Sequence, residues 1–186
     1  MKFLDIYRQD KIIINKIINE IKKNIFKGDY ILGTPVEDFE KKFATFCGAK
    51  YAVGCGNGTD ALTIALKSLN LPKSSEVIIP AMTFCSTAFA VINANLKPVL
   101  VDVNHLEPTI SVEKIKKKIN SKTKVIIPVH LYGSSANLKD IKKLIKKKNI
   151  KIIDDCAQAH GSFDDSVNIK KKIGSTTDIS CFSFYP

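Results

Sequence analysis

The chain has 186 residues, 45% hydrophobic and 25% charged, a balance suited to one domain with its own core. No apolar run is long enough to cross a bilayer, and Met1 to Asp10 lacks the charged-then-apolar pattern of a secretory signal, so no membrane partner and a cytoplasmic location are expected. The net charge of +11 rests on lysine, with Arg8 the single arginine; runs such as Lys116–Lys118 and Lys146–Lys148 read as solvated helix faces, not as a nucleic-acid surface built on arginine forks.

In chain order, helix and strand patterns alternate with short connections, which predicts an α/β fold with a mainly parallel sheet. Ile14, Ile17, Ile18, Ile21 and Ile25 recur at helical spacing and predict a helix over 10–26, ended by Gly28. Thr34-Pro35-Val36-Glu37 reads as an N-cap, a proline at the first helical position and the glutamate of a capping box. The helix it opens has Phe39, Phe43 and Phe46 as its buried stripe and Gly48 as its stop. Tyr51-Ala52-Val53 reads as a short strand, followed by a glycine-rich turn and a helix from Thr59 to Leu69.

Apolar runs at Val77–Ile79, Pro98–Val101, Val125–Val129 and Lys151–Ile153 read as strands. Helical segments fall near Thr87–Asn95, Val112–Ile119 and Leu138–Lys148, with Ser111 and Asn137 as N-caps of the last two. A final apolar run, Ile179–Phe184, reaches the end at Pro186; a chain stopping inside such a run is expected to be a fragment. The five cysteines, Cys47, Cys55, Cys85, Cys156 and Cys181, form no C-x-x-C pair and no zinc-spaced cluster, so reduced and mostly buried thiols are expected, and no metal.

Three segments carry chemistry. In Gly54-Cys55-Gly56-Asn57-Gly58-Thr59-Asp60 the glycines permit a tight turn, and the following helix start offers free N–H groups to an anion such as phosphate. The same segment also fits a plain turn with Thr59 as N-cap. It has no lysine where a P-loop needs one, and its G-x-G-x-G spacing is not the dinucleotide fingerprint. The second segment, Ile152-Ile153-Asp154-Asp155-Cys156-Ala157-Gln158-Ala159-His160-Gly161, sets two carboxylates at the carboxyl end of a strand, where open α/β sheets bind ligands. A carboxylate there suits a cation or a protonated ring nitrogen, or it caps the next turn. Cys156 and His160 lie four apart, but nothing supplies the third group or oxyanion site that a nucleophilic pair needs. The third segment, Ser180-Cys181-Phe182-Ser183-Phe184-Tyr185-Pro186, alone reads as a buried strand.

In this order the segments resemble the DegT/DnrJ/EryC1/StrS family of sugar aminotransferases, from about Asp29 onward. The opening Tyr30-Ile31-Leu32-Gly33 with Val36–Phe39 is similar to the family's start, and Gly56-Asn57-Gly58-Thr59-Asp60-Ala61-Leu62 to its phosphate loop. Val77-Ile78-Ile79-Pro80 with Thr83-Phe84, Pro128-Val129-His130-Leu131-Tyr132-Gly133, Asp155 to Gly161 and Phe182-Ser183-Phe184 complete the likeness.

The resemblance implies the large domain of a fold-type I enzyme dependent on pyridoxal 5'-phosphate, with residues 1–186 its N-terminal part and the C-terminal small domain absent. It implies that Gly58, Thr59, Asp60 and Ser183 bind the cofactor phosphate and that Phe84 stacks on the pyridine ring. Asp155 would pair with the ring nitrogen as the catalytic carboxylate, and Gln158 would sit near the phenolic oxygen. His130 and His160 receive no role. The cofactor lysine is placed just beyond Pro186, and Lys170, Lys171 and Lys172 fall in what resembles a surface hairpin, so this segment alone is expected to be inactive. The implied reaction moves an amino group from an amino acid, usually glutamate, to a keto sugar nucleotide in a homodimer. The G-N-G-T-D-A-L form of the loop resembles members acting on a dTDP-3-keto-6-deoxyhexose. A non-catalytic or regulatory relative and a nucleotide-binding dehydrogenase domain are the alternatives.

Overall fold

The computed structural model describes residues 6–28, 30–166 and 171–185, with side chains from Ile13 onward. Asp29, where the family likeness begins, Lys170 of the expected hairpin and the terminal Pro186 lie outside the described residues. The fold is α/β. Its elements are α1 (Ile6–Lys27), α2 (Thr34–Cys47), α3 (Gly58–Ser68), β1 (Glu76–Pro80), α4 (Cys85–Asn93), β2 (Lys97–Val101), α5 (Val112–Lys118), β3 (Thr123–Ile126), α6 (Leu138–Ile145), β4 (Lys151–Asp155) and β5 (Ile179–Cys181). A short 3-10 turn spans Leu131–Gly133.

The five strands form one parallel sheet in the order β2-β1-β3-β4-β5. Both faces are covered, which is why the strands read as continuous apolar runs rather than alternating ones. Side chains still alternate between faces. Val77, Ile79, Val125, Ile127 and Ile153 pack under Leu62 and Leu66 of α3 and Ala90 and Val91 of α4. Ile78, Ile126 and Ile152 point the other way, against Ile115 of α5 and Ile141 and Ile145 of α6. At the amino edge Glu76 accepts from Asn120 Nδ2 at 2.7 Å and pairs with Lys97 Nζ at 3.2 Å, tying β1 to β2 and to the turn before β3.

Five local expectations are corrected. Thr34 is not the N-cap of α2: Gly33, at φ 85°, takes that place without a side-chain hydrogen bond, which moves Pro35 one position inward and leaves the capping box unformed. The aromatic stripe of α2 is not buried in the sheet core. Phe39 and Phe46 are each 44% exposed, while Ala44 and Cys47 are the buried positions. The rings pack on one another and on Phe182 and Phe184, because α2 lies against the exit from β5.

Tyr51–Val53 forms no strand; Tyr51 and Val53 are exposed and no described strand lies beside them to share a ladder. The run predicted over 125–129 pairs as a strand only to Ile126, since Pro128 has no N–H to extend the ladder, and the run from Ile179 leaves the sheet after Cys181. Ser111 and Asn137 do cap α5 and α6, each accepting from the N–H three residues on. The hairpin reading holds where it is described, with Phe163 bridging Lys172 in antiparallel fashion. Among the five free cysteines, Cys47, Cys156 and Cys181 are buried and Cys55 and Cys85 exposed.

Candidate active site

The carboxyl ends of β1, β3, β4 and β5 and the start of α3 enclose a cavity of about 280 Å³. This is where an open α/β sheet gathers ligands. Gly58, Thr59, Phe84, Asp155, Gln158 and Ser183 all line it. Asp60, the seventh residue singled out, does not line it. Its Oδ2 accepts from Asn57 Nδ2 at 2.8 Å, so the carboxylate is spent on closing the turn.

The start of α3 is built by Asn57, which caps the helix in place of Thr59. Its backbone is extended, its Oδ1 accepts from Asp60 N at 2.9 Å, and its carbonyl accepts from Ala61 N at 3.0 Å. The Gly58 and Thr59 N–H groups remain without a protein partner among the described residues, at the positive end of an eleven-residue helix. Glu40 of α2 holds the preceding loop by accepting from Gly54 N at 2.6 Å. The exit from β5 then brings Ser183 onto Gly58. A Cβ at position 58 would stand 2.8 Å from Ser183 Cβ and 3.3 Å from its Oγ, so only glycine allows this approach. Two backbone amides and one hydroxyl thus converge where an anion fits.

Asp155 and Asp154 are neighbours in sequence and face opposite ways. Asp155 follows Ile153 onto the α3–α4 face, where Oδ2 accepts from Thr87 Oγ1 at 2.8 Å and Oδ1 from Ala157 N at 3.2 Å. Burial pushes its carboxyl above the usual range, and the Thr87 hydrogen bond is the largest effect opposing that rise. Asp154 is fully buried on the other face, with Oδ2 accepting from Thr177 Oγ1 at 2.6 Å.

Asp154 Oδ1 lies 3.6 Å from Nε2 of the buried His130. His130 Nδ1 accepts from Ala136 N at 3.1 Å, which leaves the imidazole proton on Nε2, aimed at that carboxylate. Cys156 completes a group whose ligand-type atoms lie within 4.8 Å of one another. A cation there would have to displace both that imidazole proton and the proton of a thiol that burial holds well above its ordinary pKa. At 3.6 Å the two facing atoms make no hydrogen bond, and what is present is a close buried contact under β4.

Phe84 stands just before α4 in extended conformation, 68% exposed, and lines the cavity. Gln158 Oε1 accepts from Tyr132 N at 2.9 Å, so its amide N–H₂ is the end left free. Cys156 and His160 do not form a dyad: Cys156 packs with Leu138, Ala159 and Ile173, whereas the His160 ring rests against Phe182 and Phe184. Among the described residues no lysine lines the cavity, and Lys172 instead sits 3.7 Å over the Phe46 ring. Sequence reasoning missed Thr87 and Asn57. Asn57 was findable as a capping residue one place before Gly58; Thr87 lies 68 residues from its partner and left no local sign.

A profile of the DegT/DnrJ/EryC1/StrS aminotransferase family matches residues 11–186. The chain is 42% identical over 183 residues to the dTDP-3-amino-3,6-dideoxy-alpha-D-galactopyranose transaminase of Aneurinibacillus thermoaerophilus, covering 98% of this chain and 49% of that protein. It is 40% identical over 172 residues to the UDP-N-acetyl-3-dehydro-alpha-D-glucosamine 3-aminotransferase of Acidithiobacillus ferrooxidans, covering 92% and 46%. Among solved structures, that of S. venezuelae DesV superposes with a TM-score of 0.93 at 33% identity, over the whole of this chain and 49% of the other. The chain spans about half the length of the curated relatives it matches.

Proposed function

The chain belongs to the DegT/DnrJ/EryC1/StrS aminotransferase family, whose enzymes depend on pyridoxal phosphate, and from that premise we propose that its cavity is the cofactor half of a sugar-nucleotide aminotransferase site. The observation that carries this reading is one cavity that joins an open helix start and the Ser183 hydroxyl to a buried carboxylate. Those features fit the two ends of the cofactor, an anionic phosphate and a basic ring nitrogen. When bound, pyridoxal phosphate supplies an electron sink for the carbon that gives up its proton and a carbonyl that carries the amino group.

The residues do the rest. The Gly58 and Thr59 amides and the Ser183 hydroxyl hold the phosphate. Asp155 keeps a proton on the ring nitrogen by pairing with it, Phe84 covers one face of the ring, and the free amide of Gln158 stands ready for the phenolic oxygen. Asp60 contributes by shaping the loop rather than by touching the phosphate. Among the described residues no lysine lines the cavity to move the proton, and the expectation for the 186 residues alone is cofactor binding without turnover. The full reaction transfers an amino group from glutamate to a keto sugar nucleotide in a homodimer, with a dTDP-3-keto-6-deoxyhexose as acceptor. The names of the two relatives, both amino sugars or amination at the 3-position, support that choice of carbon.

Borohydride reduction of the chain saturated with pyridoxal phosphate tests the reading. Binding that inorganic phosphate competes away, with no stoichiometric adduct on any one lysine, is the expected result. A single stoichiometric adduct at one native lysine, or binding that phosphate does not affect, refutes it.

A further inference from the structure

Thr87, in the first turn of α4, is fully buried, yet its hydroxyl is bonded twice. Thr87 Oγ1 lies 2.8 Å from Asp155 Oδ2 and 2.8 Å from Thr83 Oγ1. An ionised carboxylate only accepts, so the single Thr87 proton goes to Asp155, and Thr87 must then accept from Thr83. The row has one direction, from Thr83 through Thr87 to Asp155. The Ala157 N–H holds the other carboxylate oxygen. With both oxygens fixed, the plane of the carboxylate is set before any ligand arrives.

The charged and titratable groups around Asp155 cannot substitute for this hydroxyl. From the loop after β3, His130 favours the ionised form, and Asp154 on β4 opposes it; both effects are smaller than that of the Thr87 hydrogen bond. No lysine lines this side of the cavity among the described residues.

We propose that Thr87, oriented by Thr83, is the positioning residue that holds Asp155 ionised and aimed into the cavity for a protonated heteroaromatic nitrogen. The assignment rests on the reading of the cavity as a pyridoxal-phosphate site, but it makes a demand on the protein without cofactor. Thr87→Val keeps the shape and removes the donor, Thr87→Ser keeps the donor, and Thr83→Ala removes only the orienting partner. Carbon-13 NMR of the Asp155 carboxyl in the 186-residue chain reads its titration midpoint directly. Loss of one hydrogen bond to a charged group moves the midpoint up by about one to two pH units in Thr87→Val. Thr87→Ser restores it, and Thr83→Ala moves it upward by less.

Nitrogen-15 pyridoxal phosphate gives the second readout: its ring nitrogen stays protonated at neutral pH in the unaltered chain and in Thr87→Ser, and loses the proton in Thr87→Val. An unmoved midpoint in Thr87→Val, or a Thr87→Ser midpoint as high as the valine variant's, overturns the assignment. Should the valine variant not fold, an unmoved midpoint in Thr83→Ala overturns it. Failure of the unaltered chain to bind pyridoxal phosphate overturns the cofactor reading instead, a result the Asp155 titration does not share.

Discussion

Replacing Gly58 with alanine brings a methyl group to 2.8 Å from Ser183 Cβ and 3.3 Å from its Oγ. Comfortable carbon–carbon contact is about 3.5–4.0 Å, so Ser183 must retreat by roughly 1 Å. The fold absorbs this at the low end of the overpacking range, about 1 kcal/mol, because Ser183 is only half-buried and lies in the irregular run after β5 rather than in the sheet core. The phosphate cradle does not absorb it. A hydroxyl displaced by that distance no longer reaches an anion held at the Gly58 and Thr59 amides, and a lost charge-assisted hydrogen bond weakens binding about 10- to 100-fold. Fluorescence titration of the chain with pyridoxal phosphate, alongside thermal melts, measures both effects. Gly56→Ala is the matched control: its Cβ meets Asp60 Oδ2 at 2.9 Å, the movable end of a side chain, and the loss of affinity should be several-fold smaller. Equal affinity for Gly58→Ala and the unaltered chain refutes the placement of the phosphate between α3 and Ser183.

In a catalytically complete version carrying the cofactor lysine, Asp155→Asn keeps binding through the phosphate while kcat falls by about a hundredfold or more; unchanged kcat takes the ring-nitrogen role away from Asp155. Burial raises the Asp155 carboxyl above its unfolded value, so its contribution to stability is full below the unfolded carboxylate pKa of about 3.9 and is lost as pH rises through the raised value. Melting temperatures of Asp155→Asn and the unaltered chain should therefore diverge across that window, the unaltered chain losing ground as pH rises, and parallel curves would contradict it. Offered 3-keto and 4-keto nucleotide sugars with glutamate, the complete enzyme should aminate the 3-position by NMR, and amination confined to the 4-position would show the loop reading to be wrong.

What the sequence made legible depended on whether the cause was local. Ser111 and Asn137 could be read as caps because a cap is settled within four residues, and β1 because a strand buried on both faces is apolar throughout. Gly58, Thr59, Phe84, Asp155, Gln158 and Ser183 came from family likeness, and the fold places all six around one cavity. The failures had non-local causes. Gly33 took the N-cap from Thr34 through a positive φ that no side chain announces. Tyr51–Val53 had strand composition but no neighbour to pair with. The stripe of α2 was correctly periodic, yet periodicity does not say what the stripe will meet, and it met the aromatic exit of β5. Thr87 looked like any helical threonine until β4 folded beneath it.

The two adjacent carboxylates of β4 have a consequence for how such a site can change over generations. Asp154 and Asp155 are the same chemical group one residue apart, but the pleat sends one beneath the sheet to His130 and Thr177 and the other up to Thr87. Deleting a single residue ahead of Ile152 while β4 kept its pairing with β3 would turn each of them to the opposite face. Asp155 would arrive beside His130 and Thr177, Asp154 would enter the α3–α4 core in the place of Ile153, Cys156 would face Thr87, and Ile153 would turn to the α5–α6 core. Point substitutions can therefore be tolerated or repaired at this strand one at a time, while a length change of one is a change of every contact at once, and drift by insertion or deletion is confined to the loops on either side of it.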